Sequence, residues 1–307
     1  MRKIKILWAV CCLAFFVFSC KSQKEKDAAL TDSPIRGAIT ISADESFKPI
    51  VDELVKVYES NNAGTSIKVQ YKPEADCVKD LWNDSIRMII STYKLTEAAR
   101  LELVDSLKIR VRQLPVARDA IAVIVNPAAK DSLFDMTDIK MILAGIYPQP
   151  LVPVFDGVKA TSSVRYIVDS VLRGGPLAKS AVAASTSDSV IDYVARHKDA
   201  VGFIGVSWIG NPDDPQQLSF LKKVRIAHLE SNDKKGKFVL PVQANIYTKR
   251  YPMTRDLVYI LKEGHRGLGT GFSEFIAGEI GQLIFKRAYL MPGRKAFIIR
   301  KAQLKED

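Results

Sequence analysis

The first third of the chain alternates short apolar runs with stretches of helical periodicity, and this alternation constrains the fold more than any other feature. Such an order predicts an α/β fold with a mostly parallel sheet. Sheets of this kind bind ligands at the carboxyl ends of their strands, and we expect Ser42, 73–77, Ser91 and Thr92 at that edge. Strands are predicted at 38–41, 66–71 and 88–92, and helices at 47–58, 76–82 and 96–107.

Two of the predicted strand-to-helix turns carry hydroxyl side chains. The turn at 42–46 precedes a helix that begins at Phe47, and Thr161, Ser162 and Ser163 precede a second helix. A helix start has unpaired backbone N–H groups and a partial positive charge, and small hydroxyl residues let an anion approach. Two such turns facing each other would enclose one small anion. The alternative is that the hydroxyls are ordinary N-caps.

Length and charge restrict the organisation of the chain and its partners. The 307 residues are 47% hydrophobic, so two domains with full cores are the default expectation. A formal net charge of +11 suits anionic partners such as phosphate-like solutes, lipid headgroups or nucleic acid. The sequence contains no arginine-rich run with interleaved aromatic residues, which argues against nucleic acid.

The N-terminus predicts export. A basic segment at 1–5 precedes an apolar run at 6–18, which is shorter than the roughly 20 residues of a spanning helix and typical of a secretory signal. Residues 17–20, Val-Phe-Ser-Cys, resemble a bacterial lipobox. This resemblance implies that 1–19 is a signal peptide and that acyl chains such as palmitate are attached to Cys20. Several chains anchor a protein stably, so we expect it on the periplasmic side of a bacterial membrane, inner or outer. The alternative is simple secretion with Cys20 free.

Residues 20–36 are predicted to form a charged, apolar-poor tether between lipid and domain. Cys11 and Cys12 lie in the signal, so only Cys77 remains once Cys20 is lipidated. One thiol cannot form an internal disulfide. We therefore expect Cys77 to be a small packed residue.

The rest of the chain is predicted to build a second lobe and then return to the first. Residues 37–115 and 245–307 are assigned to lobe 1 and residues 116–244 to lobe 2, with a two-strand hinge near 113–118 and 240–245. Two lobes joined in this way form a cleft that can open and close. Strands are predicted at 109–115, 120–126, 151–155, 200–205, 224–229, 238–247 and 294–300, and helices at 138–144, 164–172, 187–197, 253–264 and 272–288.

The sequence contains three patterns that resemble enzyme motifs, but none has the spacing that the motif requires. The run 205–210 is one residue too long for a nucleophile elbow. The glycine-rich run 267–271 lacks the Lys-Ser/Thr of a P-loop and follows a predicted helix. The three histidines show no metal-ligand spacing, and HExxH is absent from the sequence. We therefore expect a binding protein without catalysis, metal or cofactor.

Seven stretches in one order carry a family resemblance. The chain resembles the periplasmic phosphate-binding proteins of ABC transporters (Pst-type), especially their lipoprotein branch. The resemblance implies a type II periplasmic-binding-protein fold, here a monomer, that closes on phosphate and delivers it to a membrane permease. The stretches are 41–59, 119–127, 137–145, 162–172, 199–205, 251–260 and 269–284.

The resemblance also implies site residues, and at three places the sequence departs from the family. The family's glycine-serine loop is replaced at 73–76, its aspartate falls near Thr92, and its arginine falls near Phe155. A further acid must then replace the aspartate, and a further cation must replace the arginine. The expected ligand-binding residues are Asp44, Ser46, Phe47 through its N–H, Ser91, Thr92, Thr161, Ser162, Ser163 and Arg165. The substitutes considered are Asp44, Glu74, Asp76 and Asp156 for the acid, and Arg118, Lys159 and Arg165 for the arginine.

Other functions stay open at this stage. The same fold could bind sulfate or molybdate, or sense phosphate without transporting it. A different class is an interaction lipoprotein without a ligand, or a hydrolase. Phosphate keeps a proton near neutral pH that sulfate lacks, so a carboxylate in the site would favour phosphate.

Overall fold

The computed structural model describes residues 32–157, 161–211 and 213–293. Its strands are β1 (Arg36–Asp44), β2 (Gly64–Lys72), β3 (Ile86–Ser91), β4 (Val111–Val125), β5 (Leu133–Phe134), β6 (Val152–Asp156), β7 (Val182–Ala184), β8 (Ala200–Gly205), β9 (Arg225–Ile226), β10 (His228–Ser231), β11 (Lys234–Val239), β12 (Thr254–Lys262) and β13 (Met291–Pro292). Its α-helices are α1 (Lys48–Asn61), α2 (Glu74–Lys79), α3 (Glu97–Leu107), α4 (Met136–Ala144), α5 (Ser162–Tyr166), α6 (Ser187–Arg196), α7 (Pro215–Leu221), α8 (Gln243–Tyr247), α9 (Leu268–Ala277) and α10 (Glu279–Arg287).

One mixed sheet runs through the molecule in the order β2-β1-β3-β12-β4-β8-β6-β7. Its two ends are parallel, since β1 pairs with β2 and β3, and β6 pairs with β7 and β8. The ends are joined by antiparallel pairing of β12 with β3 and β4, and of β4 with β8. The predicted α/β class is therefore confirmed, with antiparallel strands in the centre.

Each half of the sheet has its own hydrophobic core. In the first half, Ile41 of β1 and Phe47 pack with Phe272 of α9. In the second half, Phe155 of β6 stacks on Phe203 of β8, with ring centroids 5.2 Å apart. The buried apolar residues form two clusters in each half. Separate cores on the two halves of one sheet give a two-lobed molecule, while the exact lobe boundaries stay a prediction. Cys77 is buried and free, as expected.

β4 is a single 15-residue strand where the sequence predicted two strands and a link. Residues 111–120 pair with β12, and residues 121–125 pair with β8, so the strand belongs to both halves. Pro115 lies within it, and the β4–β12 register shifts beside its partner Val258. A bulge of this kind accommodates a proline that cannot donate to the ladder.

Three further predictions of secondary structure were wrong. The predicted helix 253–264 is strand β12, where residues 257–261 are apolar and all buried between two neighbouring strands. The predicted strand 238–247 ends at Val239, and α8 follows. The predicted helix 272–288 breaks at Gly278, which has extended backbone between α9 and α10. The predicted strand 294–300 lies outside the described residues.

The last residues of the predicted tether are packed against the fold. The Asp32 carboxylate accepts a hydrogen bond from the Leu268 N–H (2.6 Å) at the start of α9 and pairs with Arg87 (3.2 Å). The prediction of a solvated tether was therefore wrong for Asp32. Its charge indicated exposure to solvent, and its partners are too distant in sequence to be predicted. The signal peptide 1–19, Cys20 and the segment up to residue 31 lie outside the described residues. Within the part of the chain described, no helix combines the length and hydropathy that crossing a membrane requires.

Candidate functional site

The two predicted hydroxyl turns meet in the structure. Ser46 lies in the short 3-10 turn after β1, Ser162 lies at the start of α5, and their Oγ atoms are 3.5 Å apart and fully buried. Asp44 and Thr161 serve as N-caps, each accepting a hydrogen bond from a backbone N–H of its own turn. The Trp208 indole N–H donates to the Ser46 carbonyl (2.8 Å), which fixes the turn from the other half of the molecule. Of the hydroxyl residues, Thr161 is thus an ordinary N-cap, whereas Ser46 and Ser162 face each other.

A buried arginine completes this group, which we call the serine cluster (Ser46, Ser162, Ser163 and Arg255). Arg255 Nη1 donates to Ser162 Oγ (2.8 Å) and Ser163 Oγ (3.2 Å), and its Nε donates to Asp119 (2.9 Å). The guanidinium carbon lies 4.8 Å from the centre of the Phe47 ring. Its Nη2 has no hydrogen-bond acceptor among the described residues. A forked cation held in this way presents donors to any anion that enters between the serines.

Three buried carboxylates surround the serine cluster. Asp156 Oδ2 accepts hydrogen bonds from Ser46 Oγ (3.0 Å) and Ser187 Oγ (2.9 Å). One oxygen of each carboxylate lacks a donor of good geometry within the described residues: Asp44 Oδ2, Asp119 Oδ1 and Asp156 Oδ1. Unpaired buried oxygens are costly. They mark a place where a ligand carrying hydrogens would gain hydrogen bonds.

Burial shifts the titration of all three acids in the same direction. Desolvation, with the neighbouring charge of Asp44, raises the pKa of Asp156 to about 6. Desolvation, with the charge of Glu74, also raises the pKa of Asp44. Desolvation raises the pKa of Asp119 against the opposing effect of Arg255. The site therefore contains carboxyl groups that exchange a proton more readily near neutral pH than exposed aspartates do.

A second polar group, the Glu74–Thr92–Arg165 bridge, lies beside the serine cluster and joins the two halves. Glu74 is 2% exposed, and its Oε2 accepts hydrogen bonds from the Thr92 N–H (2.8 Å) and Oγ1 (2.7 Å). Its Oε1 pairs with Arg165 Nε, and Arg165 Nη2 donates to Thr92 Oγ1 (2.8 Å). Arg165 and Thr92, both predicted to contact ligand, are thus engaged with each other and with Glu74. Glu74 and Thr92 lie at two of the three places where the sequence departs from the family pattern, whereas Phe155, at the third, is packed in a hydrophobic core.

The other predicted residues are spread more widely. Ser91 is buried at the end of β3, where its Oγ accepts a hydrogen bond from the Tyr93 N–H (3.1 Å). Asp76 pairs with Lys79 on the surface, so its side chain points away from the cluster. Arg118 pairs with Asp256. Neither side chain substitutes for a family residue in the cluster, and Lys159 lies outside the described residues.

Three residues of the site were not predicted from the sequence, namely Arg255, Asp119 and Ser187. Arg255 was hidden because β12 was predicted as a helix, although five consecutive apolar residues at 257–261 also indicate a buried strand. Asp119 was placed in a link rather than inside β4. Ser187 was predicted only as the residue at which the helix 187–197 begins. Their roles arise from contacts with residues 31 to 136 positions away.

A cluster of possible metal ligands lies elsewhere. Atoms of Asp32, Glu263 and His265 lie within 4.8 Å of one another. The Glu263 oxygens accept hydrogen bonds from the N–H groups of Gly269 (3.1 Å) and Thr270 (2.7 Å), and one of them pairs with Arg87 (2.8 Å). Backbone donors and an arginine fill these oxygens, so the cluster serves to cap α9.

Comparisons with known proteins place this geometry in context. A family model described as PBP superfamily domain matches residues 28–279. A structure assigned as a phosphate ABC transporter substrate-binding protein with bound phosphate, from Clostridium perfringens, has a TM-score of 0.68 at 18% identity, covering 84% of this chain and 100% of that chain. An ABC-type phosphate transport receptor from Vibrio cholerae gives 0.61 at 19% identity, covering 83% and 100%.

The fold is not confined to transport proteins. A mutant of the regulator OxyR from Corynebacterium glutamicum gives a TM-score of 0.56 at 13% identity, covering 86% of this chain and 68% of that chain. None of the curated proteins matches the sequence significantly. At these identities the structural matches show a shared fold, which confirms the predicted one.

Proposed function

The chain belongs to the family of PBP superfamily domains, and on this premise we propose that it captures inorganic phosphate between its lobes as the solute-binding protein of an ABC importer. The observation that carries the proposal is the buried serine cluster. Arg255 donates to Ser162 and Ser163, and Ser46 faces them from the other half. The two structural relatives described as phosphate-transport proteins support the choice of ligand.

Phosphate would enter the serine cluster by exchanging partners. The contacts of Arg255 with the serine hydroxyls, and the 3.5 Å contact between Ser46 and Ser162, would be replaced by contacts with phosphate oxygens. Charge-assisted hydrogen bonds contribute about 1.5–3 kcal/mol each. Several of them reach the roughly −8 kcal/mol of micromolar binding after ordering losses. Binding thus requires no metal and no covalent step.

The surrounding carboxylates would select phosphate over sulfate. A phosphate that retains a proton can donate it to an unpaired oxygen of Asp44 or Asp156, whereas fully ionised sulfate meets only repulsion there. Both acids border Ser46. They supply the role that the family aspartate, absent at Thr92, would otherwise have.

This selectivity gives the test of the proposed function. We expect calorimetry at pH 7.5 to detect phosphate binding and to give a sulfate affinity at least about 100-fold lower, which corresponds to about 2.7 kcal/mol. Asp44→Asn should narrow this preference by at least about tenfold, because an amide presents a donor to sulfate. Asp76→Asn, on the surface, is the matched control. Equal affinity of the wild-type protein for both anions, or no binding of either, contradicts the proposal.

The alternatives differ in outcome. A sulfate or molybdate protein would show the reverse preference in the same titrations. A phosphate sensor would bind phosphate in the same way but would not support uptake by membrane vesicles containing the permease. Uptake therefore separates sensing from transport.

We further propose that the mature protein is a monomer, tethered to a bacterial membrane on its periplasmic side through acylated Cys20. The tether is supported by the lipobox-like sequence at 17–20, where Cys20 follows the apolar run of the signal. The monomeric state is carried over from the family resemblance. We expect the intact mass of protein purified from membranes to equal residues 20–307 plus acyl chains. A mass that retains residues 1–19, or lacks lipid, contradicts the anchor.

A further inference from the structure

A basic groove lies on the solvent side of the serine cluster. We call it the basic vestibule. Its cavity volume is about 440 Å³, and five of its eleven lining residues are cations against one acid. The charged residues are Lys94, Arg118, Arg165, Lys249, Arg255 and Asp256.

The cations of the vestibule converge from separate elements. Arg118 and Arg255 lie on β4 and β12, Arg165 lies on α5, and Lys94 and Lys249 lie in the turns after β3 and α8. A charged face on a single helix is usually only a solvated surface. Here the cations come from both halves of the molecule and line one concave surface. Such a concave surface focuses positive potential into the cleft.

The groove carries a net positive charge, although Arg165 pairs with Glu74 and Asp169, and Arg255 pairs with Asp119, behind the lining. Asp256 is shared between Lys94 Nζ (2.7 Å) and Arg118 Nε (2.8 Å), so one carboxylate serves two cations. Lys249 has no ion-pair partner within the described residues. Its backbone has φ of 57°, a left-handed conformation that is strained for a residue with a side chain. A left-handed residue is common just after the end of a helix, and Lys249 follows the end of α8 with its side chain exposed.

The vestibule adjoins the proposed phosphate site. Arg255 lines the groove and also donates to Ser162 and Ser163, and Arg165 and Thr92 form part of the wall. An anion in the groove is therefore next to the serine cluster. The carboxylates around that cluster repel an approaching anion, and the cations of the groove offset this repulsion. An entering anion would therefore meet the cations of the vestibule first and the serine cluster with its surrounding carboxylates second.

We propose that the basic vestibule is a capture subsite that holds an incoming oxyanion, phosphate or one of its analogues, before it passes into the serine cluster. The proposal rests on the proposed function for its inner site. Electrostatic focusing by such a surface raises association rates by about 10- to 1,000-fold and weakens steeply with salt. The vestibule should therefore act on the association rate constant and leave the dissociation rate constant nearly unchanged.

The test is stopped-flow measurement of phosphate binding by Lys94→Gln/Lys249→Gln. Both side chains are exposed, so folding should be unaffected. At an ionic strength of about 20 mM, where screening is weak, we expect the association rate constant to fall by about 5- to 10-fold. At about 0.5 M salt the variant and wild type should converge. Lys140→Gln/Lys222→Gln removes the same charge from exposed positions outside the groove and should retain the wild-type rate.

The outcomes separate the capture subsite from the proposed function. An unchanged association rate in the vestibule variant, with wild-type phosphate affinity, overturns the capture subsite while leaving the phosphate site intact. An equal fall in the control variant also overturns it, because net charge would then explain the effect. The last measurement is the binding of the wild type and the vestibule variant to vesicles that contain an acidic phospholipid. Loss of vesicle binding by the vestibule variant without a change in phosphate association would assign the groove to lipid headgroups instead.

Discussion

Replacing Arg255 with glutamine is expected to weaken phosphate binding by at least about 100-fold and to destabilise the fold. The substitution removes two donors that point at Ser162 and Ser163, each worth about 1.5–3 kcal/mol when charge-assisted. It also leaves Asp119 buried without its cation, which costs about 3–5 kcal/mol. Calorimetry measures the first effect, and urea denaturation measures the second.

A second variant keeps this prediction testable if Arg255→Gln fails to fold. Arg255→Gln/Asp119→Asn removes both members of the buried pair, so much of the lost stability should return, because Asp119 is no longer left as a buried charge without its cation. Phosphate binding should stay lost. Arg255→Lys keeps the charge but not the fork, so it should fold and bind at least about tenfold more weakly. Wild-type affinity in the folded double variant would exclude Arg255 from the binding site.

Ser162→Ala combined with Ser163→Ala is expected to reduce phosphate affinity by about 100-fold or more. Both hydroxyls are fully buried and accept from Arg255, and in the complex both would donate to the anion. Two charge-assisted hydrogen bonds of about 1.5 kcal/mol or more account for that loss. Titration calorimetry with phosphate is the measurement. Unlike the vestibule variant, this variant should act mainly on the dissociation rate constant.

Ser85→Ala/Ser219→Ala provides the matched control for this double variant. Both serines are exposed, and their hydroxyls bond only locally. We expect phosphate affinity within about twofold of wild type, since surface substitutions change little. If the Ser162/Ser163 variant remained folded with unchanged affinity, the serine cluster could not be the site.

Local patterns were enough to predict the turns that form one wall of the site. The apolar periodicity of α1 and the hydroxyl residues before it are contained within a short window, and the same is true of Thr161, Ser162 and Ser163. The hypothesis that two helix starts with hydroxyl residues, one from each lobe, face each other across one small anion then predicted that Ser46 and Ser162 would lie close together. The structure places their hydroxyls 3.5 Å apart.

The features that could not be predicted from the sequence depend on contacts between residues far apart in the chain. The apolar residues of 253–264 fit helical spacing as well as a buried strand, and only pairing with β3 and β4 distinguishes the two. The error concealed Arg255, the central cation of the cluster. The bridge between Glu74 and Arg165 joins residues 91 positions apart, and no local pattern signals such a contact.

The unbroken strand β4 has a mechanical consequence for how the two halves could separate. Because it belongs to both halves and is hydrogen-bonded to β12 and β8 along its length, there is no slack loop at this crossing to absorb a rotation. Separating the two halves must then distort the twist of the hydrogen-bonded strands around residues 117–121. This distortion raises the free energy of the open arrangement. We therefore expect the arrangement in which Ser46 and Ser162 face each other to be favoured without a ligand, so that a bound anion stabilises this arrangement and does not create it.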